Sequence, residues 1–204
     1  MRFLVFLFCI SWLNGQTTSL RTWDSSAIEM VVLELPYASS ISIKSTKTET
    51  ISTHYQSEGE YQNALLLSTS LNGSVLSIKE RIGPGFKNFN DKLSAHKVMA
   101  SILELFLPEK LFIELNARSA KVTLEGGFPR LMLYLEQGSL YVNSSYVQGE
   151  ITTASADVFL NRLNYPVHAE TLNGVLKGAV INAKTSVLKI KSVDGNISFN
   201  SNRK

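Results

Sequence analysis

From residue 112 to residue 200, apolar residues come in pairs spaced by one position, and the pairs recur every nine residues. They are Ile113 and Leu115, Val122 and Leu124, Leu131 and Leu133, Leu140 and Val142, Gly149 and Ile151, Val158 and Leu160, Val167 and Ala169, and Leu176 with Gly178. After a three-residue slip, placed between Gly178 and Leu188, the register resumes with Leu188 and Ile190 and then Ile197 and Phe199. Apolar positions at i and i+2 mark a short strand with one buried face. Alternate steps share a turn: Ser119-Ala120, Gln137-Gly138, Ser155-Ala156, Asn173-Gly174 and Asp194-Gly195 are separated by 18, 18, 18 and 21 residues. The period is therefore 18, two strands to a unit. Such a unit leaves its apolar face in water unless neighbours stack on it. The expected fold is all-β, a parallel β-helix or β-solenoid with 18-residue coils. Its corners fall at Ala120, Gly138, Ala156, Gly174 and Gly195, with the three glycines supplying positive φ. A meander of hairpins is the alternative, since Asn-Gly and Asp-Gly also make two-residue hairpin turns, but a meander has no reason to hold an 18-residue register.

The first half of the chain alternates without that period. Met30 to Leu35, Ser39 to Lys44, Glu49 to Tyr55, Leu65 to Leu71 and Val75 to Lys79 read as strands, with Asn72-Gly73 as a hairpin turn between the last two. An open solenoid end would expose unpaired strand edges, so this half is expected to form a β-rich cap. Gly83 to Lys92 is polar and turn-rich, and reads as a loop. Residues 94–107 are ambiguous: Val98, Ile102, Leu105 and Phe106 fit a helix face, while Ile102 to Pro108 fits a strand entering the repeats.

Arg2 followed by an uncharged apolar run from Phe3 to Leu13, then Asn14, Gly15 and Gln16, reads as a secretion signal. No later stretch approaches the roughly 20 apolar residues of a membrane helix, so no transmembrane segment is expected in the mature chain. The organisation that follows is a signal peptide at 1–16, a β-rich N-terminal half at 17–108 capping the solenoid, repeats at 109–200 and a basic tail at 201–204, with 17–204 one continuous domain. Cys9 is the only cysteine and lies in the signal, so neither a disulfide nor cysteine-ligated metal is expected after export. The composition, 44% hydrophobic and 18% charged with a net charge of +3, describes a folding chain. That charge is too small to support a nucleic-acid partner.

Leu105-Phe106-Leu107-Pro108-Glu109-Lys110-Leu111, followed by 18-residue units with x-Gly-x-apolar-x-apolar corners, resembles the bacterial putative adhesin domains, including the head GIN type. The segment Leu71 to Ile78 looks like that family's turn and short apolar strand. The resemblance covers about residues 28 to 200; Ser119-Ala120 and Ser155-Ala156 depart from the usual glycine corner. It implies an exported, non-enzymatic β-solenoid located in the periplasm, at the outer membrane or outside the cell, and it carries no catalytic or binding residues.

Reactive clusters are sparse. Asp24, Asp91, Asp157 and Asp194 cannot stack into the acidic turns of a calcium-binding roll, and His54, His96 and His168 lack a metal-ligand spacing. Asp157 and Glu170 both project outward yet fall on opposite sides of their coils, which disfavours a carboxylate pair. Ser94 to Lys97 matches S-x-x-K and Lys184-Thr185-Ser186 echoes K-T-G, without the helical context those motifs need. Cofactors are not expected. Between Val167 and Lys204, six basic residues face two acidic ones, and Lys184, Lys189 and Lys191 are candidates for contact with an acidic polymer or lipid surface. Tyr134 and Tyr141 each fall between two inward residues and should point outward, where they could stack on a glycan or meet a protein. The expected function is adhesion, scaffolding or surface interaction with a glycan, acidic polymer or envelope protein. The alternatives are an envelope-stress or signalling accessory that binds a membrane-protein partner and, more distantly, a carbohydrate-active enzyme.

Overall fold

The computed structural model describes residues 17–58, 64–84, 99–161, 165–178 and 187–200. The expectations placed on 1–16, on 85–98, on Lys184 and on 201–204 lie outside the described residues. The chain is all-β, with no α-helix among the described residues. Its strands are β1 (Thr17–Asp24), β2 (Met30–Leu35), β3 (Ala38–Thr46), β4 (Thr50–Glu58), β5 (Leu65–Asn72), β6 (Val75–Ile82) and β7 (Ala100–Pro108). There follow β8 (Phe112–Thr153), β9 (Asp157–Asn161), β10 (Val167–Thr171), β11 (Leu176–Lys177), β12 (Leu188–Ser192) and β13 (Ile197–Asn200). Residues 100–108 are strand, which settles the described part of the ambiguous stretch.

Hydrogen bonding joins the strands into one open sheet that runs as two rows, because β8 contributes successive segments to each. Residues 112–117 of β8 pair in parallel with β2, and residues 121–125 pair in parallel with β3. Farther on, 139–143 pair with β9 and 149–153 with β12, again in parallel. Residues 18 apart also lie over one another within β8: the Ser144 hydroxyl donates to the Gly126 carbonyl. The direct pairing of Leu140 with Val158 and Val142 with Leu160 has the same offset.

Inward side chains of the two rows meet in one core. In the first row Leu76, Val31, Ile113, Leu131, Ile151 and Leu188 are at most 1% exposed; in the second row Ile41, Val122, Leu140, Val158 and Ile197 are fully buried. Each such burial is worth about 1.5–3 kcal/mol, so the aligned ladders dominate stability. Parallel pairing fixes the alignment, because a one-residue slip would turn every one of these side chains outward.

Strand order departs from chain order at both ends of the stack. Near the amino end, β2 lies between β6 and β8, and β3 lies between β7 and β8. Thus 17–108 supplies two kinds of strand: β2, β3, β6 and β7 continue the parallel rows, while β1, β4 and β5 are antiparallel and lie farthest out. At the other end, the register carries on from 149 to 167 and from 158 to 176 in sequence, yet those segments do not pair. Instead β12 lies between the 149–153 segment and β10, and β13 lies between β9 and β11. The apolar content explains the order. Leu188, Ile190 and Ile197 of the inserted strands are 0% exposed, whereas the end position holds the smaller inward residues Val167, Ala169 and Gly178 and leaves Leu176 40% exposed.

The corner residues form a column in the order Ala120, Gly138, Ala156, Gly195, Gly174. A Cβ on Gly138 would overlap the Ala120 carbonyl, one on Gly195 the Ala156 carbonyl, and one on Gly174 the Gly195 carbonyl. Positive φ is confined to Gly138 among these three, at 109°. Gly174 and Gly195 therefore serve the corner by permitting close backbone approach, which corrects the expectation that all three supply positive φ. Asn72-Gly73 does close the β5–β6 hairpin, with Asn72 opposite Val75 and Gly73 at φ 58°.

Gly138→Ala, which meets both the overlap and the unfavourable φ, is expected to lower unfolding free energy in chemical denaturation by about 2–4 kcal/mol. Gly127→Ala meets only the Glu109 carboxylate at ordinary contact distance and should stay within about 1 kcal/mol of the parent. Equal losses in the two would refute the close-approach account.

Candidate functional site

Outward side chains of the first row build a continuous face because successive segments stand directly beside one another. Two shallow hollows meet there. One, of about 380 Å³, is lined by Phe112, Arg130, Met132, Gln148, Glu150 and Lys189 among others; the second, of about 210 Å³, is lined by Glu114, Asn116, Met132, Tyr134, Glu150 and Thr152. Met132 and Glu150 border both. Met132 is 50% and Tyr134 40% exposed, an apolar ridge with carboxylate, amide and hydroxyl groups on either flank. Lys191 pairs with Thr152 across the strands and reaches Glu150 at 3.7 Å. Of the candidate residues, Tyr134, Lys189 and Lys191 thus share this face.

Tyr141 does not. It belongs to the second row, stacks on Phe159 at 4.8 Å with 12° between the planes, and has the Lys121 ammonium 5.4 Å from its ring centre. Beside it runs a ladder of amides in which Asn161 donates to Asn143 at 2.7 Å and Asn200 donates to Asn161 at 3.0 Å. The two tyrosines therefore present separate surfaces. The lysines are also less free than the charge count implies: Lys189 and Lys191 lie on β12, with Glu150 on the strand to one side and Glu170 on the strand to the other.

Asp157 and Glu170 stand on different rows, β9 and β10. Asp157 Oδ1 accepts hydrogen bonds from the backbone N–H and the side-chain amide of Asn196, at 2.8 and 2.9 Å, so that carboxylate works as a turn anchor. His54 lies 3.3 Å from Glu104 and His168 3.9 Å from Glu170, both at exposed positions.

One polar cluster escaped the sequence reading. Glu80 is 6% exposed, and its Oε2 accepts the Tyr37 N–H at 2.8 Å while its Oε1 faces the Tyr55 hydroxyl at 3.2 Å and the Ser101 hydroxyl. Pro36 and Tyr37 make the turn between β2 and β3, so Glu80 satisfies a corner N–H that no ladder reaches. Burial raises the Glu80 carboxyl above its ordinary value, opposed by the hydrogen bonds from Ser101, Tyr37, Tyr55 and Ala38. Burial first and the Glu80 charge second push the Tyr55 phenol up as well. Its signal in the sequence was parity: Glu80 continues the inward series Leu76, Ile78.

No protein-family model and no curated protein matches the chain. Among solved structures, a putative cell adhesion protein from Clostridium sporogenes superposes with a TM-score of 0.58 at 13% identity, covering 91% of this chain and 99% of that one. The chain has that protein's fold. Putative adhesins from Bacteroides fragilis and Parabacteroides distasonis match at TM-scores of 0.34 and 0.33, with 13% and 9% identity, over 90% of this chain and 97% of each of theirs. The Clostridium sporogenes neighbour is named a putative cell adhesion protein, in keeping with the family that the sequence resembles.

A raised carboxyl binds its proton more tightly in the folded state than in the unfolded one. Glu80 therefore costs stability as pH rises from its ordinary value of 4.5 through its folded value, and costs nothing below that window. Glu80→Gln can accept from Tyr37 and donate toward Ser101 and Tyr55, the pattern of the neutral acid. It is expected to flatten that decline in denaturation curves taken across the window, whereas Glu80→Ala, which strands a buried N–H and two hydroxyls, should lose about 2–4 kcal/mol below the window and less above it, where the parent bears the cost of the buried charge. A decline of unchanged slope in Glu80→Gln would show that another group sets it.

Proposed function

We propose that the chain is an exported, non-enzymatic β-solenoid with 18-residue coils, capped at its amino end, that works in adhesion or surface interaction. The observation that carries this reading is the first-row face. Met132 and Tyr134 stand exposed between Glu114 and Asn116 on one side and Glu150 and Thr152 on the other, with Lys189 and Lys191 beyond. A flat aromatic and thioether ridge flanked by hydrogen-bonding groups suits an extended partner laid across strands, a glycan chain or an envelope protein, better than a small molecule that needs enclosure. Support also comes from the fold shared with the putative cell adhesion protein from Clostridium sporogenes. Export fits the apolar run at Phe3 to Leu13, and no helix among the described residues is long and apolar enough to cross a membrane.

Protease added to intact producing cells is expected to degrade the tagged mature protein, while a periplasmic marker survives. Protection equal to the marker's would overturn the adhesion role in favour of a periplasmic scaffold or signalling accessory. On the face itself, Tyr134→Ala combined with Met132→Ala should leave stability within about 1 kcal/mol, both side chains being half exposed. The same double variant should weaken attachment of the purified protein to cell-envelope polysaccharide or envelope-protein extracts. Reversing Lys189 and Lys191 to Glu tests the electrostatic share: attachment that is salt-sensitive in the parent and lost in the reversed variant assigns the partner a negative surface.

A further inference from the structure

We propose that the place held by the last two strands, β12 and β13, can be filled by the same segment of a second copy, so that this chain assembles by strand exchange. The proposal does not depend on what the outer face binds. It starts from the order of strands. Among the described residues, β12 and β13 each have a parallel neighbour on both sides, while β10 and β11, earlier in sequence, each have only one. The final segment therefore occupies an interior slot. Its walls are residues 149–161 on one side and 167–177 on the other.

Those walls also match each other. They sit 18 residues apart, the offset at which Leu140 already pairs with Val158. Direct closure would set Val167 beside Gly149, Ala169 beside Ile151 and Leu176 beside Val158, with inward side chains still inward. The absent Cβ at Gly174, which now admits the Gly195 carbonyl, would equally admit that of Ala156 at the neighbouring corner. An emptied slot thus has a closed form that restores part of the lost pairing, and departure of the insert does not require the rest of the stack to unfold.

What fills the slot is selected by side chains rather than by the covalent link to Gly178. Asn196 bridges both walls: it donates to Asp157 through its backbone N–H and its amide, and its Oδ1 accepts the Val175 N–H at 3.0 Å. Thr153 donates to Ser192 at 2.9 Å in the buried corner, and Thr171 donates to the Gly195 carbonyl at 2.9 Å. Outside, Lys189 and Lys191 bring positive charge between Glu150 and Glu170, with Lys191 and Glu150 3.7 Å apart. A second copy offers every one of these groups in the same order, as identical elements do in domain-swapped assemblies. Reciprocal exchange gives a dimer, and one-way exchange gives a growing chain.

The test uses full-length chains with Cys9 replaced by Ser. Glu150 and Lys189 are direct partners on adjacent strands about 4.8 Å apart, inside the range a disulfide spans. A chain carrying both Glu150→Cys and Lys189→Cys should close an internal disulfide, which checks the slot. A chain carrying only Glu150→Cys is then mixed with one carrying only Lys189→Cys, both after incubation of the folded proteins and after refolding together from denaturant. The expected result is a covalent heterodimer on non-reducing gels, several-fold above the collisional background given by Glu150→Cys mixed with Thr50→Cys. Heterodimer at background after co-refolding, with the internal disulfide formed, would overturn exchange; failure of the internal disulfide would overturn the slot itself.

Discussion

Close parallel contact between backbones governs this molecule. A strand in the middle of a row is satisfied only when both edges are paired and its inward side chains meet aliphatic neighbours above and below, as Val158 does between Leu140 and Ile197. At the corner the requirement tightens until no side chain fits: Gly138, Gly195 and Gly174 stand where a methyl group would overlap a carbonyl of the adjacent segment. Spacing along the sequence follows from this. Once the corner column is fixed, each segment must return to it with its inward pair in phase, and the apolar pattern repeats at that interval.

The same demand explains the buried acid. The turn from β2 to β3 leaves the Tyr37 N–H facing the interior, and Glu80 at the far end of β6 reaches it. Burying a carboxylate is costly, but it is a flexible acceptor that gathers Tyr55 and Ser101 as well, and so ties β4, β6 and β7 to one corner. The outer surfaces divide differently. In the second row Tyr141 and Phe159 cover one another beside Lys121, while the first row leaves Met132 and Tyr134 bare.

Much of the local structure was legible in the residues. Inward pairs such as Val122 and Leu124 are inward because alternation is a property of each strand alone, and Asn72-Gly73 makes its hairpin because the turn chemistry is local too. Which strand lies beside which was not legible. The segments at 149, 167 and 188 all carry compatible apolar pairs, so the pattern permits several orders, and the choice falls to which residues profit most from full burial and to contacts such as Asn196 with Asp157. Glu80 was missed because a lone acid in an alternating run reads as a solvated position until its parity is compared with Leu76 and Ile78. The surroundings of the lysines were not legible either: sequence shows their number but not the glutamates on the strands beside them.

The interleaving at the amino end has a bearing on how the polypeptide reaches this state. Residues 30–46 emerge early from the ribosome, yet the strands that flank them come from residues 75–82, 100–108 and 112–125. Until residues 112–125 have appeared, each of these first aliphatic strands lacks one of its two final neighbours, and every closure spans tens of residues. Topologies dominated by such distant pairings fold slowly, on the scale of milliseconds to seconds for small domains. During that interval Val31, Leu33, Ile41 and Ile43 are open to any other unpaired strand, which makes early chain growth the stage at which aggregation competes most strongly with folding.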